Sequence, residues 1–253
     1  MINVIITGCC GKMGKVLSRL IAQDEEMKII AGIDRNANQP DSNHPFEVFT
    51  ELSECSHKAD VVIDFSHYSA LPKILDYCIS TNTPLVTATT GLSEEDHARI
   101  LEASKTVPIF QSANMSLGVN VMLDLAKAAA KALYEKFDIE IIEKHHNKKV
   151  DSPSGTAYMI ANAINDALSE QLDYVYGRHG KSDERKKTDV GIHAIRGGNI
   201  VGEHTVIFAG QDEIIEIKHT AVSKDIFALG AIKAAKFLVD KTPGYYNMNS
   251  MLK

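Results

Sequence analysis

The sequence predicts two domains. Residues 1–115 are predicted to form an α/β doubly wound parallel sheet of the Rossmann type, and residues 116–222 an α+β domain with an open mixed sheet. Short apolar runs alternate with helical patterns through the first part, which is typical of a parallel sheet covered by helices. A glycine-rich turn joins the first strand to the first helix. From Val190 onward, strand-like runs follow one another with only turns between them.

The composition excludes several classes of protein. The chain has 253 residues, of which 44% are hydrophobic and 24% charged, and its formal net charge is −6. This is ordinary for a globular protein, and the negative charge gives no general attraction for nucleic acid. No apolar run approaches the length of a membrane span. The four cysteines form no C-x-x-C pair and no secretory leader is recognisable, so we expect a reduced, cytoplasmic protein without nucleic-acid or membrane partners.

The first strand and helix flank a glycine motif. The apolar run 2–7 predicts a buried parallel strand, and a helix follows it. Between them, G-x-x-G-x-x-G places Gly8, Gly11 and Gly14 where a backbone can approach a pyrophosphate closely. A second strand, residues 28–33, ends at Asp34, which lies 20 residues after Gly14, the spacing of the acid that binds ribose hydroxyls in dinucleotide sites. The alternative is a purely structural glycine-rich turn.

The side chains around this motif point to both nicotinamide coenzymes. Asp34 favours the free 2′-hydroxyl of NADH. Lys12 and Arg35 carry positive charges that attract the 2′-phosphate of NADPH. We therefore expect NADH, NADPH or both as the cofactor.

The alternation of strands and helices continues to residue 115. Further strands are predicted at residues 46–49, 61–65, 85–90 and 107–110, with helices near 70–79 and, capped by Ser93, near 94–104. Ligands of doubly wound sheets bind beyond the carboxyl ends of the strands. The residues that fall there are the glycine loop, Ser66, His67, Thr89, Thr90, Gly91 and Asn114. For His67, a coenzyme contact or a plain loop position is favoured over a catalytic base.

The second domain begins with a helix from Asn120 through Leu133 and a strand over residues 139–143. A helix over residues 157–168 follows a basic loop. Strands are predicted at residues 190–195, 203–208 and 213–219. The last of these alternates Ile with Glu and Lys, which predicts one buried and one polar face. A final helix spans residues 226–239 and ends before Pro243.

The basic loop, Lys144 to Lys149, combines an anion site with groups that transfer protons. Ser154, Gly155 and Thr156 lead into a helix start, where N–H groups and the helix dipole favour an anion. His145 and His146 exchange protons near neutral pH, and Lys149 supplies a cation or an acid. The alternative is a solvated loop before an ordinary helix start. We expect no metal site, because adjacent residues of an extended segment point to opposite faces.

The same loop resembles the signature of a known family. Its pattern E-x-H-H-x-x-K-x-D-x-P-S-G-T, Glu143 to Thr156, is similar to that of the bacterial dihydrodipicolinate reductases, now called 4-hydroxy-tetrahydrodipicolinate reductases. Further matching segments are D-F-S at 64–66, T-T-G at 89–91, N-x-S-x-G-V-N at 114–120, R-G-G-x-x-x-G-E-H at 196–204 and P-G-x-Y-x-M-x-x-x-L at 243–252. The chain departs from the family pattern at Ala88, at Met115 and at the pair Cys9-Cys10.

The resemblance implies an activity: reduction of the cyclic dicarboxylate 4-hydroxy-tetrahydrodipicolinate to tetrahydrodipicolinate with NADH and/or NADPH, in the diaminopimelate route to lysine. It implies that Lys149 is the general acid assisted by His145, and that His146, Ser154, Gly155 and Thr156 bind the substrate. It implies use of both coenzymes, with NADH somewhat preferred, a homotetramer, and a tail, residues 223–253, that packs back on the first domain. The residues expected to bind the coenzyme are Gly8, Gly11, Lys12, Met13, Gly14, Asp34, Arg35, Phe65, Ser66, Thr89, Thr90, Gly91, Ala113, Asn114 and Met115.

Two other functions remain open from the residues alone. One is a different two-domain NAD(P) dehydrogenase, acting on semialdehydes or sugar alcohols. The other is a dinucleotide-sensing regulator in which Cys9 and Cys10 form a redox switch. A planar substrate mimic, pyridine-2,6-dicarboxylate, separates the reductase from the regulator, because only the reductase has a reason to bind coenzyme more tightly in its presence.

Overall fold

A computed structural model describes residues 1–37, 44–168, 171–181 and 184–252. The chain forms two compact units. The first consists of Met1–Ser116 together with Asp225–Lys253, and the second of Leu117–Lys224. The chain therefore leaves the first unit once and returns to it near its end. Part of the predicted loop region after Asp34, residues 38–43, lies outside the described residues.

The helices and strands follow the predicted order. The strands are β1 (Ile2–Thr7), β2 (Met27–Ile33), β3 (Glu47–Phe49), β4 (Val61–Asp64), β5 (Leu85–Thr87), β6 (Pro108–Gln111), β7 (Asp138–His145), β8 (Asp173–Val175), β9 (Asp189–Arg196), β10 (Gly202–Ala209), β11 (Ile214–Ala221) and β12 (Gly244–Tyr246). The helices are α1 (Lys12–Ile21), α2 (Leu71–Thr81), α3 (Glu94–Ala103), α4 (Leu117–Leu133), α5 (Gly155–Leu168), α6 (Asp225–Leu238) and α7 (Met248–Leu252), with short 3-10 turns at Leu52–Glu54 and Tyr68–Ala70.

The first unit contains a sheet of order β12-β6-β5-β4-β1-β2-β3, in which every pair of neighbours is parallel. Its central strands are buried because helices cover both faces, and Val4, Ile5 and Ile6 of β1 have no exposed surface. The order of the strands reverses between β1 and β4. In such sheets the crevice outside the carboxyl ends of those two strands is where ligands bind.

The second unit contains a mixed sheet of order β11-β10-β7-β9-β8. Strand β10 is antiparallel to β7 and β11, whereas β9 is parallel to β7 and β8. Alternate side chains of β7, among them Ile139 and Ile141, form one apolar cluster with residues of α4 and α5. The opposite face of the sheet carries the other set of side chains, including the exposed Ile195 and Ile214. The predicted fold class is confirmed for both units.

Three local features differ from the sequence prediction. Strand β7 continues to His145, so Lys144 and His145 belong to the strand rather than to the basic loop. Ile214 and Ile215, at the start of β11, are exposed, whereas Ile217, His219 and Ala221 are half-buried and alternate with exposed residues. The predicted alternation is therefore confirmed over the C-terminal half of this strand, which α4 contacts. The three-residue strands β8 and β12 were not predicted, since three residues are too few to show a period.

Two element ends also moved. Helix α4 begins at Leu117, three residues before the predicted start. Strand β5 ends at Thr87, which leaves Thr89 and Thr90 in the loop that follows. No helix among the described residues is long and apolar enough to cross a membrane.

Candidate functional site

The glycine loop of the first unit is shaped by close backbone approaches. Gly8 has a φ of +77°, and a Cβ there would lie 2.7 Å from the carbonyl oxygen of Phe65. A Cβ on Gly14 would lie 2.6 Å from the Cα of Cys9. Gly11 is the N-cap of α1 and has no side chain to occupy the first N–H groups of the helix. These contacts explain why three glycines are needed at this spacing.

Asp34 joins the glycine loop to the end of β2. Its Oδ2 accepts a hydrogen bond from the N–H of Cys10 at 2.9 Å, and its Oδ1 accepts one from the N–H of Asn36 at 2.9 Å. Asp34, Gly8 and Gly11 line a cavity of about 920 Å³. A cavity of this volume is within the range of small-molecule and cofactor sites.

Asp64, at the end of β4, holds the neighbouring strand ends together. It is completely buried. Its carboxylate accepts hydrogen bonds from the hydroxyls of Thr7 at 2.6 Å, Thr87 at 2.9 Å and Thr89 at 2.7 Å, and from the N–H of Ser66 at 2.9 Å. The sequence analysis included Asp64 in the D-F-S match but gave it no role. An acidic residue at the end of an apolar strand is the sequence feature that could have indicated this role.

The predicted coenzyme residues divide into two groups. Gly8, Gly11, Asp34, Arg35, Phe65 and Ser66 line the cavity. The others do not line it: Lys12, Met13, Gly14, Thr89, Thr90, Gly91, Ala113, Asn114 and Met115. Met115 is 1% exposed, and its carbonyl lies against Gly230 of α6, so its side chain fills the core of the first unit. The cavity also includes residues that the sequence analysis missed, among them Lys73 and Tyr77 of α2.

Glu143 is the centre of the candidate site in the second unit. Its side chain is completely buried at the inner face of β7. Arg196 donates two parallel hydrogen bonds to its two oxygens, both at 2.7 Å. His145 Nδ1 lies 2.6 Å from Oε2, and the N–H of Ser154 donates to Oε1 at 2.9 Å. Burial acts to raise the pKa of Glu143, but these three donors outweigh it and hold the pKa below its usual value.

Two neutral histidines pack beside Glu143. Burial, together with the nearby charges of Lys149 and Arg196, lowers the pKa of His145 although Glu143 acts to raise it. The ring of His204 meets that of His145 edge-on, with centroids 5.2 Å apart, and its burial, followed by the proximity of His145, lowers its pKa to about 4. His204 Nε2 is 2.9 Å from Ser154 Oγ, which also accepts a hydrogen bond from the N–H of Ala157 at 3.2 Å. The Ser154 hydroxyl thus has its proton available for neutral His204.

The loop after β7 is fastened to the turn that follows β9. The N–H of Asn147 donates to the carbonyl of Gly198 at 3.2 Å, and Arg196 donates to the carbonyl of Asp151 at 2.7 Å. Lys149 Nζ lies 2.9 Å from Asp151 Oδ1, and this ion pair lowers the pKa of Asp151. The loop therefore keeps a partly buried cation beside the start of α5.

Gly155, the first residue of α5, has open space in its side-chain direction. A Cβ added there would meet no atom within 4 Å. The Ser152–Pro153 peptide bond before it is cis. Buried Nδ1 of His146 has no hydrogen-bond partner in the described part of the chain. The N–H of Ser154 donates a hydrogen bond to Glu143 and so connects this residue to the Glu143 cluster. Gly155 and the half-buried Thr156 are the first two residues of α5.

The structure thus brings together the predicted residues His145, Ser154 and Gly155, and ties Lys149 to the same loop. The sequence analysis quoted Glu143, Arg196 and His204 within family motifs without assigning them a role. Arg196 and His204 lie 53 and 50 residues from the partners they contact, so nothing in the local pattern reveals the pairing.

Comparisons with known proteins agree over both units. Residues 2–115 match the family described as "Dihydrodipicolinate reductase, N-terminus", and residues 118–252 match "Dihydrodipicolinate reductase, C-terminus". A relative named "4-hydroxy-tetrahydrodipicolinate reductase" from Caldanaerobacter subterraneus subsp. tengcongensis is 54% identical over 253 residues, covering 100% of this chain and 99% of the relative. A relative of the same name from Clostridium tetani is 51% identical over 252 residues, covering 100% and 97%.

Among solved structures, "Dipicolinate bound Dihydrodipicolinate reductase from Paenisporosarcina sp. TG-14" is similar with a TM-score of 0.83. It is 23% identical, and the match covers 98% of this chain and 99% of that one. At this identity the likeness establishes the fold. The family matches and the two relatives of 54% and 51% identity show which family the chain belongs to.

Proposed function

The chain belongs to the dihydrodipicolinate reductase family, and on that premise we propose that it reduces 4-hydroxy-tetrahydrodipicolinate to tetrahydrodipicolinate with NADH or NADPH. The observation that carries the proposal is the Glu143 cluster, in which one buried carboxylate holds both a proton-transferring histidine and the residue before the start of α5. The reaction belongs to the diaminopimelate route to lysine and takes place in the cytoplasm, where the four free cysteines stay reduced.

The first unit is the coenzyme-binding unit in this proposal. The glycine loop receives the pyrophosphate, and the side chain of Asp34, already held by Cys10 N–H, receives the adenosine ribose hydroxyls. Exposed Arg35, at the same cavity, supplies a cation for the 2′-phosphate of NADPH. We propose that the enzyme uses both coenzymes and prefers NADH somewhat, because the acid that binds the free hydroxyl lies closest to the loop.

The second unit is the substrate-binding unit. One carboxylate of the substrate binds at Ser154, Gly155 and Thr156, at the start of α5, where the helix dipole favours negative charge. The N–H of Ser154 itself already donates to Glu143, so this residue faces the substrate with its other atoms. The other lies within reach of Lys149 and His146, whose Nδ1 is buried without a partner among the described residues. A planar, cyclic dicarboxylate satisfies both ends of this loop at once. Dipicolinate, the ligand bound in the similar Paenisporosarcina reductase, is such a molecule.

The reaction then proceeds in three chemical steps. Loss of water from the 4-hydroxy substrate gives a conjugated imine, to which NADH or NADPH adds a hydride. The resulting enamine takes a proton on carbon, so that one coenzyme molecule and one proton are consumed for each water released. Lys149 donates that proton. His145, neutral and with Nδ1–H directed to Glu143, presents Nε2 as the group that orients the substrate or relays a proton.

The role of Lys149 is tested by comparing two adjacent lysines. Removing a positioned general acid costs about 10²–10⁴-fold in rate, so Lys149→Ala should lower kcat by that amount. Exposed Lys148 is the matched control, and Lys148→Ala should leave kcat within about twofold, because the cost of losing a solvated charge is small. The steady-state rates of both variants at saturating substrate decide the matter. Equal kcat values would remove Lys149 from the acid role.

The reaction itself is tested by measuring the loss of NADH absorbance, and separately of NADPH absorbance. The substrate is made in situ from pyruvate and aspartate semialdehyde by the preceding synthase. Oxidation that depends on the synthase supports the activity, and the ratio of kcat/KM values gives the preference. A ratio strongly in favour of NADPH would contradict the proposed preference for NADH. Tight coenzyme binding without oxidation would refute the activity itself.

We also propose that the chain assembles as a homotetramer through the uncovered face of the second sheet. Ile195 is 46% exposed and Ile214 is 64% exposed on that face. Such apolar side chains beside ion pairs like Lys144–Glu203 suit burial against a second copy. Light scattering coupled to size-exclusion chromatography should give four times the chain mass of 27.7 kDa. A concentration-independent monomer would contradict the assembly.

A further inference from the structure

Two cysteines and a histidine lie together at the glycine loop, and the proposed reaction gives their side chains no role. Cys9 and Cys10 lie between Gly8 and Gly11, and His44 approaches them from the segment before β3. Cys9 Sγ and Cys10 Sγ are 4.0 Å apart, and Cys10 Sγ is 3.6 Å from His44 Nε2. All three possible ligand atoms lie within 4.8 Å of one another.

Two of these three separations match those around one tetrahedral metal ion. With zinc–sulfur bonds of about 2.3 Å and zinc–nitrogen bonds of about 2.0 Å, tetrahedral angles separate two sulfurs by about 3.8 Å and a sulfur from a nitrogen by about 3.5 Å. The measured 4.0 and 3.6 Å differ from these values by only a few tenths of an ångström. The third separation, between Cys9 Sγ and His44 Nε2, is below 4.8 Å, so a modest approach of these two side chains completes the geometry.

The surroundings fix two of the three side chains in place. Cys9 is completely buried, and a Cβ at Gly32 would lie 2.6 Å from its sulfur, so Gly32 provides the space that the thiol fills. Phe46 lies against the same glycine and packs on the ring of His44, with centroids 5.0 Å apart. Both ligands are thus positioned by side-chain packing rather than by solvent-exposed loops.

The pKa shifts of the three groups describe the protein without a cation, and the proposal does not depend on them. Burial raises the pKa of the Cys9 thiol, and burial followed by the charge of Asp34 raises that of Cys10, so both stay protonated when no cation is near. Burial lowers the pKa of His44, which leaves its imidazole neutral. A divalent cation bound by two thiolates has no net charge and therefore suits a buried position that a free thiolate does not.

We propose that Cys9, Cys10 and His44 form a binding site for a divalent metal ion of the zinc class, with its fourth position taken by water. Binding releases one proton from each thiol and forms two metal–sulfur bonds and one metal–nitrogen bond, without oxidation or reduction. Thiolate and imidazole ligands select zinc or its close analogues over magnesium or calcium. The sequence analysis expected no metal site, because it weighed only the histidines of the substrate loop.

Cobalt(II) is the probe that tests the site, because it can occupy zinc sites and, unlike zinc, absorbs visible light. The full chain is titrated with Co²⁺ under a phosphine reductant and without air, which keeps the thiols reduced. We expect one Co²⁺ per chain, a near-ultraviolet thiolate-to-cobalt absorption, intense visible bands of tetrahedral cobalt, and loss of both on adding Zn²⁺. Absence of the thiolate-to-cobalt band would overturn the proposal, and none of these readouts depends on catalytic activity.

Variants identify the ligands. His44→Gln and Cys10→Ser should each weaken Co²⁺ binding at least about tenfold, because even residues that only support a metal ligand contribute 10–100-fold in affinity. His57→Gln and Cys55→Ser are matched controls from the same unit and should bind Co²⁺ like the unsubstituted chain. Cys9 is not substituted, since its burial makes a folding defect hard to separate from a lost ligand. Unchanged affinity and spectrum in His44→Gln would refute the site.

Discussion

The two candidate sites are positioned by different physical means. In the first unit the glycine loop is set by the backbone, and its closest contacts are between main-chain atoms of Gly8, Gly14 and Phe65. In the second unit the site is set by side chains, because Glu143, Arg196 and His145 form one ion-paired cluster around a carboxylate with no exposed surface. Both sites end at a helix start, and only the means of positioning differ.

This difference predicts which substitutions each site accepts. A site formed by main-chain atoms tolerates a change of side chain as long as the backbone keeps its conformation. The pair Cys9-Cys10, where the family has small residues, lies in such a loop. Such a site does not tolerate a Cβ where two backbones touch. A buried ionic cluster tolerates no single loss, because removing one partner leaves an uncompensated charge inside the protein.

The largest effect should follow removal of the charge at the centre of the cluster. Glu143→Gln leaves Arg196 without its carboxylate and His145 without its acceptor, which should cost about 3–5 kcal/mol of stability and at least about 10²-fold in kcat. Chemical denaturation and steady-state kinetics measure both. Glu140→Gln, on the same strand but the opposite face, is the control and should cost less than about 1 kcal/mol.

If Glu143→Gln and Glu140→Gln destabilised the protein equally, the buried cluster around Glu143 would not be what stabilises the candidate site of the second unit. Rescue of kcat by Glu143→Asp, without full recovery of stability, would show that charge rather than geometry matters most for His145.

The next effect concerns pH. His204 has a pKa of about 4 in the folded protein against an ordinary 6.5, so the unfolded chain binds the proton more readily between these values. Its contribution to stability is therefore complete above about pH 6.5 and is lost as the pH falls toward 4, by on the order of 3 kcal/mol. The lowered pKa of His145 acts in the same direction.

Urea unfolding at pH 7, 6 and 5 measures this slope. His204→Gln carries no titratable ring and should show a smaller loss of unfolding free energy over the same interval. An identical slope in both proteins would assign the pH dependence to other groups. Glu143 contributes little to this slope, because the stability linked to its lowered pKa is lost only as the pH falls from about its ordinary pKa of 4.5 downward.

A smaller loss of stability should distinguish a substitution at Gly14, which is closely packed, from one at Gly155, which is not. Gly14→Ala places a Cβ 2.6 Å from the Cα of Cys9, so the loop must shift, at a cost of about 1–3 kcal/mol and roughly tenfold or more in coenzyme affinity. Gly155→Ala meets nothing within 4 Å and should change the unfolding free energy by less than about 0.5 kcal/mol. Coenzyme titration and thermal unfolding test the pair. Normal coenzyme affinity in Gly14→Ala would show that the loop is not set by backbone contact.

The smallest effect is expected at the surface. Arg19 and Asp225 join α1 to α6 within the first unit at 2.7 Å, but the arginine side chain is 50% exposed. Arg19→Ala should therefore cost less than about 1 kcal/mol, because water screens exposed ion pairs. Thermal unfolding at low and high salt checks it. A loss comparable with that of Glu143→Gln would mean that burial does not explain the contrast between the two sites.

The sequence by itself determined the parts of this protein that depend on neighbouring residues. The spacing of Gly8, Gly11 and Gly14 after a buried strand predicted the loop, because a tight turn and a helix start are local events. Ser93 was predicted as an N-cap, and the structure shows its side chain accepting from the N–H of Asp96. The strands and helices of the first unit followed from periodicity for the same reason.

Only the tertiary structure decided which distant residues meet. Arg196 reaches Glu143 across 53 residues and His204 reaches Ser154 across 50, because the register of β7 with β9 and β10 places them together. The same is true of Asp64, which gathers Thr7 from 57 residues away. Register follows from how whole sheets bury their apolar faces, and that free energy is shared among many residues, so no short stretch of sequence records it.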